Sequence, residues 1–282
     1  MKKLRFLLIA SGIFLSHFTK AQVQDSVFVM YQRDSAVIPE TDPTVLFFQE
    51  NERLTDAQIA KIAVITRTGK TQKLSVFAKA MFEDYPADIV LADLDNDGRK
   101  ELVIYSHTGG AHCCDEIFVL KNIGVNKYQH AVRLFGGHTV IDKDKVFEYS
   151  FTENFGYFFT CYACGYADTS DEAPIPLTSV KMKYNKGKMS LIPGDAELKS
   201  TINDNLAKLC EKPYQAIDPD LMQDEGQRKE VAINLAVYYF SFGKNLLQTQ
   251  QLFNKYYKYP DAKKVWTAFA QNLQSIRNAN GF

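Results

Sequence analysis

The sequence predicts an α+β protein: mainly antiparallel β-structure, arranged as propeller-like blades or as a sandwich, followed by a C-terminal α-helical region. Up to about residue 194, short runs of β-branched and aromatic residues alternate with turn residues. Beyond that point, apolar residues recur at helical spacing. The chain has 282 residues, of which 46% are hydrophobic, so it can bury one large core or two smaller ones. This composition excludes a disordered or low-complexity fibrous protein.

The first 21 residues have the features of a secretory signal peptide. Three basic residues within the first five positions precede an apolar run over residues 6–15, and Ala21 is a small residue at the expected cleavage point. The apolar run is too short for a membrane-spanning helix, although an uncleaved N-terminal anchor is the alternative. We therefore expect residues 1–21 to be removed. The protein would then be exported (periplasmic, cell-surface or secreted), with no transmembrane segment in the mature chain.

Residues 22–194 are predicted to form a β-rich domain. A Thr55 cap with Gln58 three residues later predicts one short helix there. The turn residues at 68–70 and 185–187 are typical of hairpin loops. The runs interpreted as strands are 26–31, 44–48, 62–66, 73–77, 88–91, 101–106, 116–120, 128–135, 146–151, 157–161, 178–184 and 188–192.

Residues 195–282 are predicted to form three or four helices that pack on one another or on the sheet. Asp195 is a plausible first cap, Gly226 a break between helices, and Pro260 fits the start of the last helix. The region is rich in aromatic residues, which we expect to lie in the core; a binding surface is the alternative. These residues are Tyr238, Tyr239, Phe253, Tyr256, Tyr257 and Trp266.

The formal charge of the whole chain is zero, which gives no support to nucleic-acid binding. The charges are nevertheless uneven: residues 227–282 carry eight basic and two acidic side chains, whereas residues 22–226 carry 21 basic and 31 acidic ones. We expect solvated helix faces balanced by an acidic sheet domain. Contact between the basic helices and an anionic surface is the alternative.

The most specific local pattern is an acidic loop between two predicted strands. Asp93, Asp95 and Asp97 occupy loop positions 1, 3 and 5, and Gly98 permits a sharp turn at position 6. Alternating oxygen ligands of this kind can wrap a hard cation. Acidic residues so close in sequence repel one another unless a cation lies between them.

Two further residues complete the predicted ligand set. Arg99 at position 7 offers its backbone carbonyl, and Glu101 at position 9 can add a carboxylate directly or through water. We expect Ca²⁺ rather than Mg²⁺, because Mg²⁺ requires tight octahedral geometry. The alternative is an acidic hairpin that binds no metal.

The flanks of this loop distinguish it from an EF-hand. Position 12 is Ile104 instead of Glu, and both flanks are strand-like rather than helical. The segment 93–104 resembles the calcium-binding loop of FG-GAP repeats, which occur in integrin α-subunit propellers and in bacterial VCBS-type exported proteins. The resemblance covers one loop and implies a strand–loop–strand calcium site in which Asp93, Asp95, Asp97 and Glu101 match the ligand positions.

Four of the five cysteines form two couples that are candidates for disulfides in an exported protein. Cys113 and Cys114 follow the second strand of the loop, and Cys161 and Cys164 come later in the chain. Bridges that join one couple to the other are stereochemically reasonable, but the sequence does not settle the connectivity. Cys210 is left over, and we expect it to be a buried thiol on a helix.

The same cysteines allow two other interpretations. Together with His112 they could bind Zn²⁺, although oxidation in an export compartment removes thiolate ligands. The Cys-x-x-Cys spacing could be redox-active, but that chemistry requires the first cysteine at a helix start. His138, after two glycines and near Asp142, could be catalytic; we expect a solvated or structural loop histidine.

The preferred hypothesis is an exported, calcium-binding, disulfide-stabilised protein that acts as a binding or scaffolding module at the cell surface or in the periplasm. Its partner would be a protein or a glycan and not nucleic acid. The alternative is an exported enzyme, a hydrolase or thiol oxidoreductase, built on the cluster His112, Cys113, Cys114, Cys161 and Cys164.

Overall fold

The computed structural model describes residues 43–82, 87–110, 113–162, 164, 166, 170, 173–214, 216 and 224–280, with the backbone alone for residues 82, 107–110, 113 and 114. The expected signal peptide and the strand expected at 26–31 lie outside these residues.

The described chain combines strands with a helical C-terminal region, which confirms the predicted α+β class. The strands are β1 (Glu52–Arg53), β2 (Ala63–Ile65), β3 (Thr71–Lys73), β4 (Asp88–Ala92), β5 (Glu101–Gly110), β6 (Cys113–Gly124), β7 (Lys127–Phe135), β8 (His138–Ile141), β9 (Val146–Ser150), β10 (Ser179–Asn185) and β11 (Lys188–Leu191). The helices are α1 (Pro43–Glu50), α2 (Asp56–Ile59), α3 (Leu74–Phe82), α4 (Ala196–Glu211), α5 (Gln227–Ser241), α6 (Leu246–Tyr256) and α7 (Ala262–Asn280).

The strands form two sheets. The first sheet has the order β1-β4-β5-β6-β7-β2-β3, in which all neighbours are antiparallel except β2 and β7, and it curls into a half-barrel. The second sheet has the order β11-β10-β9-β8 and is antiparallel throughout. Because β2 and β3 join beyond β7, the first sheet is not a simple meander of successive strands.

Two segments predicted as strands are helices. Residues 44–48 lie in α1, which Pro43 begins and which buries Thr44, Phe47 and Phe48 at helical spacing. Residues 74–77 lie in α3, where Leu74 and Phe77 are buried one helical turn apart. Short apolar runs fit both periods, so the surface against which they pack decides between strand and helix.

The structure differs at two more places in the β-rich region. Residues 157–161, predicted as a strand, form a turn and bends up to residue 160 and irregular structure at residue 161. Conversely, β8 was not predicted, because the Gly136-Gly137 turn leaves only four residues before the next turn. The Thr55 capping box and both predicted hairpin loops are confirmed.

The acidic loop connects β4 to β5, two neighbouring antiparallel strands of the first sheet. Both strands are inner strands and are largely buried, because apolar residues of the first sheet pack under α2 and α3. The loop therefore projects from a rigid base. Its position at one end of the sheet brings it close to the second sheet.

The C-terminal helices surround α5. Fourteen of its 15 residues are buried. The Phe240 ring stacks on Phe151, the residue that follows β9, with the ring centroids 5.2 Å apart. Asp195 caps α4 as predicted, and Gly226, predicted as a break between helices, lies immediately before α5. The expected burial of the aromatic residues is confirmed for Tyr238, Tyr239, Phe253 and Tyr257, whereas Tyr256 and Trp266 are partly exposed.

The end of α7 is joined to the first sheet. The Asn280 side chain accepts a hydrogen bond from the Phe135 N–H (2.6 Å) and donates one to the Phe135 carbonyl (2.9 Å). This amide therefore satisfies the last residue of β7 in the way that a neighbouring strand would. In the part of the chain that the structure describes, no helix has the length and apolarity needed to cross a bilayer.

Candidate metal centre

The backbone of the acidic loop is shaped by Asp93. Its Oδ1 accepts a hydrogen bond from the Asp97 N–H and its Oδ2 from the Gly98 N–H, each at 3.0 Å. Gly98 has φ of +84° with open space around it, so the left-handed backbone rather than crowding requires glycine. The loop curls around the Asp93 carboxylate.

Three carboxylates converge inside this curl. Asp93, Asp95 and Glu101 each place one oxygen so that all three oxygens lie within 4.8 Å of one another. Glu101 is only 3% exposed, and its Oε2 accepts a hydrogen bond from the Leu94 N–H at 3.2 Å. The arrangement provides three anionic oxygen donors for a hard cation.

Burial and neighbouring charge disfavour the ionised form of Glu101. Burial raises the pKa of its carboxyl to about 7, and the charges of Asp95 and Asp97 act in the same direction, while the Leu94 N–H opposes them. A cation placed between the carboxylates would reverse this balance. The cluster is therefore electrostatically unfavourable when all its members are ionised and no cation is bound.

One carboxylate oxygen of Asp95 lacks the hydrogen-bond partner that a buried oxygen normally has. Its Oδ2 accepts a hydrogen bond from the Lys186 N–H at 2.7 Å, but its Oδ1 is buried without a hydrogen-bond partner. The Tyr184 hydroxyl is the other buried side-chain polar atom that lacks a partner among the described residues. A carboxylate oxygen can only accept, so a proton donor or a cation is needed there. The residues present thus fit an oxygen-liganded cation.

Asp97 and Arg99, two of the five predicted metal residues, form hydrogen bonds with each other, and the Arg99 carbonyl predicted as a ligand takes no part in them. The Arg99 guanidinium donates to Asp97 Oδ2 from Nε (3.1 Å) and Nη2 (2.6 Å), and the Arg99 N–H donates to Asp97 Oδ1 (2.9 Å). These hydrogen bonds lower the pKa of Asp97. The structure therefore brings together Asp93, Asp95 and Glu101, while Asp97 faces a positive charge of the loop itself.

The Lys145 ammonium binds neutral oxygens of the loop and not its carboxylates. Lys145, in the turn between β8 and β9, donates to the Asp93 backbone carbonyl and to Asn96 Oδ1, the latter at 2.6 Å. Within the described ranges, no Lys or Arg forms an ion pair with Asp93, Asp95 or Glu101. Lys145 and Lys186 belong to the second sheet, so its two hairpin turns hold the loop of the first sheet.

The cysteines are linked differently from the expected bridges between couples. Cys161 and Cys164 bond to each other, with their Cα atoms 5.0 Å apart, in a turn and not at a helix start. They therefore offer no thiolates for zinc. The side chains of Cys113 and Cys114 and all of His112 lie outside the described residues. Cys210 is a half-buried free thiol whose pKa burial raises to about 12.

A buried hydrogen-bonded network around Asp115 was not anticipated. The carboxylate accepts from the Tyr105 hydroxyl (2.7 Å) and the Thr139 N–H (3.0 Å), and it lies 2.6 Å from His138 Nδ1. These residues belong to β5, β6 and β8, so the network ties the two sheets together. His138 thus begins a strand and is oriented by a buried carboxylate, whereas we expected a loop residue.

Comparison with known proteins identifies no relative. No family model matches the sequence, and no curated protein or solved structure matches it either. The resemblance to FG-GAP loops therefore stays a prediction that rests on the residues of the loop.

Proposed function

We propose that the protein is an exported calcium-binding module in which Asp93, Asp95 and Glu101 hold one Ca²⁺ ion. The ion stabilises the junction between the two sheets, and the protein serves as a binding or scaffolding module for a protein or glycan at the cell surface or in the periplasm. The observation that carries the calcium proposal is the buried Asp95 Oδ1, which has no hydrogen-bond partner and lies beside two further carboxylates.

The donor set favours Ca²⁺ over other cations. All three side chains offer oxygen, which suits hard divalent ions and not the softer metals that nitrogen and sulfur ligands select. Ca²⁺ accepts six to eight oxygens in irregular geometry, so three carboxylates on a curled loop, with water, form an adequate shell. The resemblance to FG-GAP loops supports the same ion.

The ion would act as a structural support. It would neutralise carboxylates that otherwise repel one another, one of which, Glu101, is almost fully buried. At a free concentration one hundred times its dissociation constant, a ligand that binds only the folded state adds about 2.7 kcal/mol of stability. Calcium should therefore raise the melting temperature measurably.

The experiment compares Asp95→Asn with wild type in calcium and in excess chelator. We expect calcium to raise the melting temperature of wild type and to leave that of the variant unchanged, because the amide lacks the charge that holds the ion. Asp204→Asn, an exposed acid on α4, is the matched control and should respond as wild type does. A variant that keeps the calcium shift, or a wild type that shows none, would refute the site.

A further inference from the structure

Tyr184 lies on the buried face of β10, in the second sheet. Residues alternate along this strand, and Val180, Met182 and Tyr184 face inward. The residue is only 3% exposed, and its hydroxyl has no hydrogen-bond partner. A buried hydroxyl without a partner is uncommon, because burial removes its hydrogen bonds to water.

The end of β10, where Tyr184 lies, contacts the acidic loop. Two residues further on, the Lys186 N–H donates to Asp95 Oδ2. On the adjoining strand Val146 pairs with Lys183, and Lys145, next to it, holds Asn96 of the loop. The acidic loop thus contacts both the turn that follows β10 and the turn that precedes the adjoining strand β9.

Electrostatics agree with this placement. Burial contributes most to the raised pKa of Tyr184, and the negative charges of Glu101, Asp95 and Asp97 add to it in that order. The nearby Gly187 N–H offsets the rise in part, although it makes no hydrogen bond of normal geometry with the hydroxyl. The hydroxyl therefore lies within the field of the same carboxylates that form the cluster.

We propose that the Tyr184 hydroxyl belongs to the oxygen shell of the cation bound by Asp93, Asp95 and Glu101. The inference rests on the calcium site proposed above and extends it to a second element. Asp95 Oδ1 and the Tyr184 oxygen are both buried without partners, and Tyr184 lies two residues before the Lys186 N–H that binds Asp95 Oδ2; a single hydrated cation would satisfy both oxygens. The ion would then take ligands from both sheets and would fix the β10–β11 hairpin to the loop.

The test uses Tyr184→Phe, which removes the hydroxyl and keeps the ring. We expect calcium affinity, measured by calorimetry, to fall at least tenfold. The melting temperature of the chelator-treated variant should equal or exceed that of wild type, because an unsatisfied buried hydroxyl is removed. Terbium, which replaces calcium at oxygen sites, adds a proximity measurement: most of the tyrosine-sensitised emission should disappear in the variant.

Tyr128→Phe is the matched control, because Tyr128 is also a buried tyrosine in the field of Glu101, but it lies on β7. Its calcium affinity should stay within twofold of wild type. Unchanged affinity in Tyr184→Phe would overturn this inference while the Asp95→Asn result still stands for the site. Weaker binding with a lowered melting temperature in chelator would indicate looser packing and would also overturn it. Failure of wild type to bind either ion would overturn both proposals.

Discussion

The acidic loop and the start of α5 both gather carboxylates, but they neutralise them differently. In the helical region, Arg228 is fully buried and donates from Nη1 to Asp224 Oδ2 and from Nε to Asp261 Oδ2, both at 2.8 Å. The second oxygen of Asp261 accepts from the Tyr257 hydroxyl at 3.0 Å. In the loop, three carboxylates converge and Asp95 Oδ1 has no partner.

The difference shows where each region obtains its positive charge. The helical region carries its cation on its own side chain, so its electrostatic balance is independent of the solution. In the loop, the Lys145 ammonium binds neutral oxygens, and among the described residues no basic side chain forms an ion pair with the three converging carboxylates. Stability of the loop should therefore vary with calcium and pH, and stability of the Arg228 network should not.

The largest effect is expected from Arg228→Met. Removal of the guanidinium leaves the buried Asp224 carboxylate and the partly buried Asp261 carboxylate without their cation, and breaking a buried ion pair typically costs about 3–5 kcal/mol. Urea unfolding should show this loss equally in calcium and in chelator. Arg277→Met, at an exposed position of α7, should stay within about 0.5 kcal/mol of wild type. A loss for Arg228→Met that depended on calcium would contradict the separation of the two regions.

The next effect concerns the pH dependence of the metal-free protein. The folded-state pKa of Glu101 is raised from 4.5 to about 7, so between these values the folded state binds more protons than the unfolded state. Stability should therefore fall as pH rises through this window, by up to about 3 kcal/mol, and remain lower above it. Saturating calcium should abolish the fall, because the ion stabilises the ionised carboxylate.

Glu101→Gln separates this residue from other titrating groups. In chelator, wild type should lose stability relative to the variant as pH rises from 5 to 8, because only wild type has a carboxyl at position 101 that must ionise. The variant should also lose its calcium response. A difference that stays constant with pH would show that Glu101 is not the titrating group.

The smallest effect is expected from Asp97→Asn. Because its carboxylate is held by Arg99 outside the converging cluster, calcium affinity should fall less than tenfold, whereas Asp95→Asn should lose at least a hundredfold. Calorimetric titration of both variants measures the contrast. Equal losses would restore the alternating ligand set that the sequence predicts, with Asp97 as a full ligand.

Local features of the site could be predicted from sequence, whereas distant ones could not. Asp93, Asp95 and Glu101 lie within nine residues, so spacing and turn chemistry alone bring them together. Arg99 lies two residues from Asp97 and is equally well placed in the sequence to bind its carboxylate. Sequence spacing does not show whether Asp97 binds a cation or Arg99. Lys186, in contrast, contacts the loop only because a second sheet packs there, and it is 91 residues from Asp95.

The same limit explains the errors in secondary structure. The run in α1 contains β-branched and aromatic residues that suit a strand, and its helical form depends on burying Phe47 and Phe48 together. The helices α4 and α7 were predicted correctly. Their apolar residues repeat at helical spacing over several turns, and a strand does not produce that pattern.

The contact between Asn280 and Phe135 has a consequence for how the chain is made. It joins positions 145 residues apart, so the hydrogen bond from the Phe135 N–H to the Asn280 side chain can form only once α7 has been synthesised. Closing so long a loop is slow compared with forming helices or hairpins. The finished fold should therefore form late, only after α7 has been synthesised.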